Sequence, residues 1–352
     1  MTQTRHSLTA AIVAAGAMAG LSFAPASAQK IGESLDEVIA LAKKEGTVQL
    51  SNTWRKRMVK VVVKGFEDTY GLKVKQTRAR GMAARERILS EAVAGLVEFD
   101  IVNVSGELRP QFVKAGVIHK IPWKKYFPKV RPMLIDPAGY YIAAGISRYG
   151  IVFNNKLVPA KDVPKTWEDC LDPKFKGNMA VYTRPRTWTG LWPGWGEEKS
   201  LAFHRRLKDA GPIWTTDQTN TGTRIAAGEY RIGCGLGYHT FLNVKSRDKL
   251  APIGFVLPTE LPLQIGEGFA IMKGAKSPNG AILLAGYLAS PEGQKLYKVY
   301  GRSNPFVDGT VAAEQIAKSG SKTIFGGWDF AGAKEAAAAK KIVEAWGFPK
   351  GK

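Results

Sequence analysis

Apolar residues recur along this chain with two alternating periods. Ser34 and Glu37 form a capping box, and Leu35, Val38, Ile39 and Ala42 then share one helical face until Gly46. A short strand is expected over 47–51. Met58, Val62 and Phe66 mark a second helix closed by Gly71, and a strand with Leu72 and Val74 on one side follows over 72–77. Ile88, Leu89, Ala92, Val93 and Leu96 line a third helix, before a strand over 99–104 and a helix around Leu108, Phe112 and Val113. Strand and helix alternate, which predicts a parallel sheet covered on both faces.

The middle of the chain repeats the alternation. Strands are expected at 178–182, 213–216, 230–235 and 253–257, with helical patterns at 200–208, 223–228 and 240–248 between them. Pro258, Pro262, Gly266 and Gly268 then interrupt the pattern before a strand at 269–272 and a helix at 278–288, so the chain is expected to cross back to the first unit there. The tail, 331–348, is helical in composition and should cap one unit. The fold class is therefore α/β with two lobes. Residues 29–156 and 260–305 are expected in the first lobe, and 157–259 and 306–352 in the second. Loops beyond the carboxyl ends of strands line the crevice of an open α/β sheet, so two facing sheets make a ligand cleft that a hinge can close.

The first residues bear on compartment. Arg5 and His6 precede an apolar run from Leu8 through Phe23, and Pro25-Ala26-Ser27-Ala28 offers small residues ahead of Gln29. This is the three-part pattern of a secretory signal peptide over residues 1–28. The run is about 16 residues, short of the ~20 that span a bilayer. Export to the periplasm and a soluble mature chain are expected.

The formal net charge is +21, with Arg5 the one formal charge in residues 1–28. Such a surplus concentrates anions nearby. The basic residues are scattered, and neither a zinc-finger nor a helix-turn-helix pattern is visible, so nucleic acid is not expected as a partner. Cys170 and Cys234 are the only cysteines. Each sits in an apolar stretch where a thiol behaves as a small hydrophobe, and an oxidising compartment leaves their pairing open. No nucleophile elbow, Walker loop or zinc-protease helix motif appears, and no cofactor is expected.

Several segments match one family in order: "LAKKEGTVQLSN", "SRYGIVFNN", "PKTWEDCLDPKFKG", "AAGEYRIG" and "LPLQIGEGFAIMKGAKSPNGAILLAGYLASPEGQ". The chain resembles the type II periplasmic solute-binding proteins of ABC importers, in the branch that includes ferric-ion, polyamine, thiamine and phosphonate binders. The resemblance spans nearly the whole chain after residue 28, with Cys170 where leucine is usual. It implies the type II periplasmic-binding-protein fold with two interlobe crossovers and a ligand bound in the cleft. It also implies docking on an ABC permease in the inner membrane and a monomeric chain.

On that fold the ligand groups come from the loops at 52–55, 78–82, 105–106, 183–189 and 238–239. Arg80 is the leading candidate for an anion, followed by Arg184 and Arg148, because a guanidinium offers a two-pronged fork to carboxylate or phosphonate oxygens. Each has the alternative of a solvated surface arginine. Asn52 belongs to the first loop, where Trp54 either covers the ligand or packs on a neighbouring helix. Ser105 and Gly106, and Thr187, stand where helix starts present amides to an anion, although Ser105 also suits a simple cap.

Ferric binders of the family use paired tyrosines with histidine and a carboxylate. Here Tyr238 takes one tyrosine position, His239 stands at the second, and Ser105 replaces the carboxylate. Trp54 and Arg55 occupy the loop where histidine would come, so direct iron coordination is disfavoured. Tyr140 and Tyr141 form another pair, read as packing. A cationic polyamine needs carboxylates, of which Glu267 is the one candidate near the return crossover. The same fold hosts a few enzymes with a cysteine nucleophile, and Cys234 lies five residues before His239. The expectation is a binding protein for a small anionic ligand, carboxylate or phosphonate, rather than an enzyme. An iron or iron-chelate binder is the alternative.

Overall fold

The computed structural model describes residues 30–104 and 106–348. The expected signal peptide and Ser105 lie outside the described residues. Ten strands form a mixed sheet: β1 (Val48–Asn52), β2 (Val74–Arg78), β3 (Ile101–Asn103), β4 (Ile142–Asn154), β5 (Met179–Tyr182), β6 (Ile213–Thr215), β7 (Ile232–Gly237), β8 (Ile253–Val256), β9 (Glu260–Ile271) and β10 (Lys322–Phe325). Their order is β2-β1-β3-β9-β4-β7-β5-β6, with β10 on β9 and β8 on β4.

The local signals act as expected at the first unit. The Ser34 hydroxyl accepts from the Glu37 amide and starts helix Leu35–Glu45, which buries Val38 and Ala42. Gly71, at φ 71°, ends helix Lys64–Tyr70 in the left-handed region open to glycine. The neighbours β1–β2, β1–β3, β5–β6 and β5–β7 are parallel. β4 and β9 run antiparallel to their neighbours β7 and β3, so the sheet is mixed rather than parallel throughout.

Two departures come from these long strands. The Pro258–Gly268 stretch does not interrupt the fold: residues 260–271 form one continuous strand, β9, paired with β4, β3 and β10. Pro262 sits near the start of β9 opposite Ile324, where a missing N–H removes little of the ladder. Gly266 and Gly268 are close-approach positions, since a Cβ there would come within 2.4 Å of Ser147 Oγ and 2.7 Å of Arg109 Nη2. Periodicity did not reveal β4 either. Its first part pairs with β9 and its second with β7 and β8, so one strand passes through both halves of the sheet.

Two main apolar cores flank this spine. One gathers Leu50, Trp54, Phe66, Phe269 and the wholly buried helix Pro278–Ala289. The other gathers Trp167, Phe175, Trp188, Phe203 and Trp346 around Cys170 and Cys234, which are joined in a disulfide. The pairing left open by the sequence is thus made, in place of two separate buried thiols. Helix Ala333–Ala345 of the tail packs on helix Trp192–Asp209. Among the described residues no helix is long and apolar enough to cross a membrane.

Candidate ligand-binding cleft

The carboxyl ends of strands from both halves of the sheet converge on one cavity of about 370 Å³. Thr53 follows β1, Arg80 follows β2, Asn103 ends β3, Tyr182 ends β5 with Arg184 following it, Asp217 and Gln218 follow β6, and His239 follows β7; all line it. Strand ends without a following partner leave side chains and amides facing the same space, which is why ligands settle there in α/β sheets.

The lining is strongly cationic. Arg80, Arg85, Arg184, Arg186 and Arg302 face the cavity with a single carboxylate, Asp217. Arg186 is fixed from below: its Nε donates to Glu335 Oε1 at 3.1 Å and its Nη2 to the Ile265 carbonyl at 2.9 Å. Glu335 also accepts from Thr189 and Gln264, so helix Ala333–Ala345 anchors the cavity floor. Burial alone would lower the pKa of Arg186, but Glu335 and Glu107 more than reverse it and the guanidinium stays charged. Arg85 is pushed down to about 10 by burial and then by Arg186 and Arg184. Arg302 stacks over the Tyr300 ring at 5.0 Å, and its buried Nε has no hydrogen-bond partner among the described residues.

Glu107 joins the two sides of the cleft, accepting from Arg184 Nη2 at 3.2 Å. Burial works to raise its pKa, yet Arg186 and Arg184 hold it at about 2. A carboxylate depressed in the folded state stabilises it above the unfolded pKa, near 4.3, and that contribution fades as pH falls toward 2. Glu107→Gln is therefore expected to flatten the loss of stability between about pH 4.5 and 2, read as the denaturant midpoint at each pH. An unchanged acid slope would contradict this.

The structure brings four of the candidate residues to the cavity: Arg80, Arg184, Thr187 and His239. The amide of Thr187 is already used in a turn to the Arg184 carbonyl, so only its side chain is offered. His239 is neutral: burial, followed by Arg302 and Arg148, pushes its pKa well down, and its Nδ1 has no partner among the described residues.

The remaining described candidates do not reach the cavity. Trp54 is fully buried, donates from Nε1 to Glu267 at 2.7 Å and packs edge-on against Phe269 and Tyr297, so it is a core residue rather than a ligand cover. Asn52 is buried one step below, where its Oδ1 accepts from the Trp54 amide and Gln76. Arg148 is fully buried, stacked on Tyr238 at 4.5 Å and bonded to Gln315 and the Ser303 carbonyl; its fork is consumed by the protein. Tyr238 is held in turn by Gln315. Gly106 is buried against Glu335, whose Oε2 a Cβ there would meet at 2.6 Å. Tyr141 packs under Trp328 and donates to the Arg109 carbonyl, as its packing reading required.

Arg85 and Arg302 were not found from the sequence, and Arg186 lay in a named loop without being singled out. Arg85 carried a signal, four residues after Gly81 on the same helix face, where its Nη1 now bonds the Gly81 carbonyl at 2.8 Å. Arg302 carried none, because its approach depends on the return of the chain after helix Pro291–Leu296. Glu267 is fully buried beneath Trp54 and Tyr297 and offers nothing to a cation in the cleft. Cys234, committed to its disulfide, is no nucleophile.

Comparison with known proteins agrees with this architecture. Residues 62–324 match the family described as bacterial extracellular solute-binding protein. A protein of Haemophilus influenzae, described as uncharacterized, is 27% identical over 255 residues, which cover 67% of this chain and 71% of the relative. Among solved structures, iron-bound HitA from Pseudomonas aeruginosa superposes with a TM-score of 0.68 at 19% identity, covering 86% of this chain and 100% of the other. AfuA from Actinobacillus pleuropneumoniae, with fructose-6-phosphate bound, gives a TM-score of 0.63 at 21% identity, covering 86% and 97%. IdiA (FutA) of Trichodesmium, in complex with iron and citrate, gives a TM-score of 0.67 at 21% identity, covering 85% and 99%. The fold of this chain is that of the two-lobed type II periplasmic binding proteins, and the chain belongs to the family of bacterial extracellular solute-binding proteins.

Proposed function

We propose that this chain captures a small organic anion, carrying a phosphoryl, phosphonyl or carboxylate group, in the arginine-lined cleft and delivers it to an ABC permease. The observation that carries the reading is the convergence of five guanidinium groups and one carboxylate on a single cavity, with Arg80 and Arg184 following strands in different halves of the sheet. Guanidinium forks bind such oxygens in pairs, and a water-poor cleft strengthens each bond. Helix Gly81–Val93 adds its N-terminus beside Arg80, with no side chain capping it. We take β4 and β9 as the hinge strands between a lobe of residues 29–156 with 260–305 and a second of 157–259 with 306–352. Closure about them would bring Arg80 and Arg184 onto the same ligand.

Fructose-6-phosphate in the AfuA complex is an organic anion of this class. A second reading is an anionic iron chelate, favoured by Tyr149 and Tyr182, which line the cavity among the arginines. Bare ferric iron is a poorer cargo: Tyr238 is turned away, and among the described residues no group of three or more histidine, cysteine or acidic side chains is placed to hold a metal. A thermal-shift panel of phosphate esters, phosphonates, carboxylates, ferric citrate, spermidine and thiamine tests the reading. A bound ligand at a hundredfold excess over Kd should add about 2.7 kcal/mol of stability. Stabilisation by an organic anion is expected; a response confined to spermidine or thiamine would reverse the charge argument, and one confined to ferric citrate would favour the chelate.

A further inference from the structure

We infer that the cleft takes a ligand with two separate anionic groups, the second seated in an outer pocket walled by Arg55, Arg78 and Arg247. The captured solute would then be a small hydroxylated bis-anion with two phosphoryl or carboxylate groups. This deepens the anion reading and rests on it.

The outer pocket has a volume of about 330 Å³ and adjoins the inner cavity, with which it shares lining residues. Thr53, Arg80, Thr219, His239 and Arg302 line both, forming a waist of two hydroxyls, a neutral imidazole and two guanidiniums. Such a waist suits the hydroxylated middle of a ligand, while each end meets its own arginines.

The outer arginines are Arg55 and Arg57 from the segment after β1, Arg78 from the end of β2, and Arg247 from the end of helix Tyr238–Arg247. Among the described residues no aspartate or glutamate lines this pocket. Elsewhere exposed arginines find carboxylates closely: Arg206 meets Glu168 at 2.7 Å and Arg224 meets Glu229 at 2.6 Å. The inner cavity is likewise partly compensated, by Glu107 on Arg184 and Glu335 on Arg186. Arg55, Arg78 and Arg247 face no carboxylate in the outer pocket among the described residues. Arg55, half-buried, has its pKa lowered by burial and then by Arg247, Arg78 and Arg80. Cations gathered from three elements, with Asp217 of the inner cavity only a smaller opposing charge on Arg55, repel one another, and an entering anion relieves that repulsion.

Calorimetry with alkyl monophosphates and α,ω-alkanediyl bisphosphates of three to six carbons tests the inference. At one chain length the bisphosphate should bind at least about tenfold more tightly than the monophosphate, because the second group binds from an already tethered position. The double variant Arg55→Gln/Arg247→Gln should return the bisphosphate to the monophosphate's affinity and leave the monophosphate within about twofold. Monophosphates that bind while every bisphosphate stays within about threefold of them would overturn the second subsite and leave the anion reading intact. An advantage that survives in the double variant would do the same. Silence from both probe series, and from the corresponding mono- and dicarboxylates, would remove the anion reading and the inference together.

Discussion

Arg80→Ala is expected to weaken binding of the anionic ligand by about ten- to a hundredfold, the range for losing a hydrogen bond to a charged group. Arg80 lies at the start of helix Gly81–Val93, is exposed, and lines both pockets. Truncating it removes charge from the cleft without opening a core, so the free protein's stability should move by no more than about 0.5 kcal/mol. Arg148→Ala is the informative contrast. That side chain is fully buried between Tyr238, Gln315 and the Ser303 carbonyl. Its loss should lower stability by several kcal/mol through a cavity and stranded polar groups, without a matching effect on the affinity of the folded fraction. Calorimetry paired with denaturant unfolding separates the two. Arg80→Ala with full affinity, or Arg148→Ala with normal stability and lost affinity, would invert the assignment.

Removing the buried Cys170–Cys234 disulfide is expected to lower stability markedly. The bond closes a separation of 64 residues. In the chain-entropy treatment a loop of that length stabilises by about 4 kcal/mol, through restriction of the unfolded ensemble. Both cysteines sit within the tryptophan-rich core, Cys170 1% and Cys234 0% exposed, so alanine at each position removes the link without introducing a polar group. The Cys170→Ala/Cys234→Ala variant is expected to unfold at a clearly lower urea concentration than the native chain, and the native chain unfolded in excess dithiothreitol should behave like the variant. Equal midpoints with and without reductant would show that the link contributes nothing.

How much of this was legible in the sequence depended on locality. The first units announced themselves, because Ser34, Gly46 and Gly71 bracket periodic apolar faces within a few residues of each other. β4 did not. It is buried along most of its length, so it lacks polar alternation, and Gly145, Ser147, Arg148 and Gly150 disguise it as a loop. β9 was hidden the same way by Pro262, Gly266 and Gly268, which read as punctuation until the close approach of Ser147 and Arg109 is seen.

The site divided along a similar line. Arg80, Arg184, Thr187 and His239 were accessible through the rule that loops at strand ends face the ligand. That rule could not say which way a side chain points, and Trp54, Asn52 and Arg148 turn into the core. Arg302 enters from a segment far along the chain, and only the tertiary path brings it to the cavity. The cysteine pair was undecidable from spacing, because a disulfide needs the two residues brought together by β7 and the turn at Glu168–Leu171.

The central claim is that one small anion is gripped by arginines from both halves of the sheet. The measurement that tests it most directly is a crystal structure of the complex with the organic anion that stabilises the chain in the thermal-shift panel. The account predicts anionic oxygens about 2.7–3.2 Å from the guanidinium nitrogens of both Arg80 and Arg184. A ligand bound outside the cleft, or held there with its anionic group away from both arginines, would contradict it.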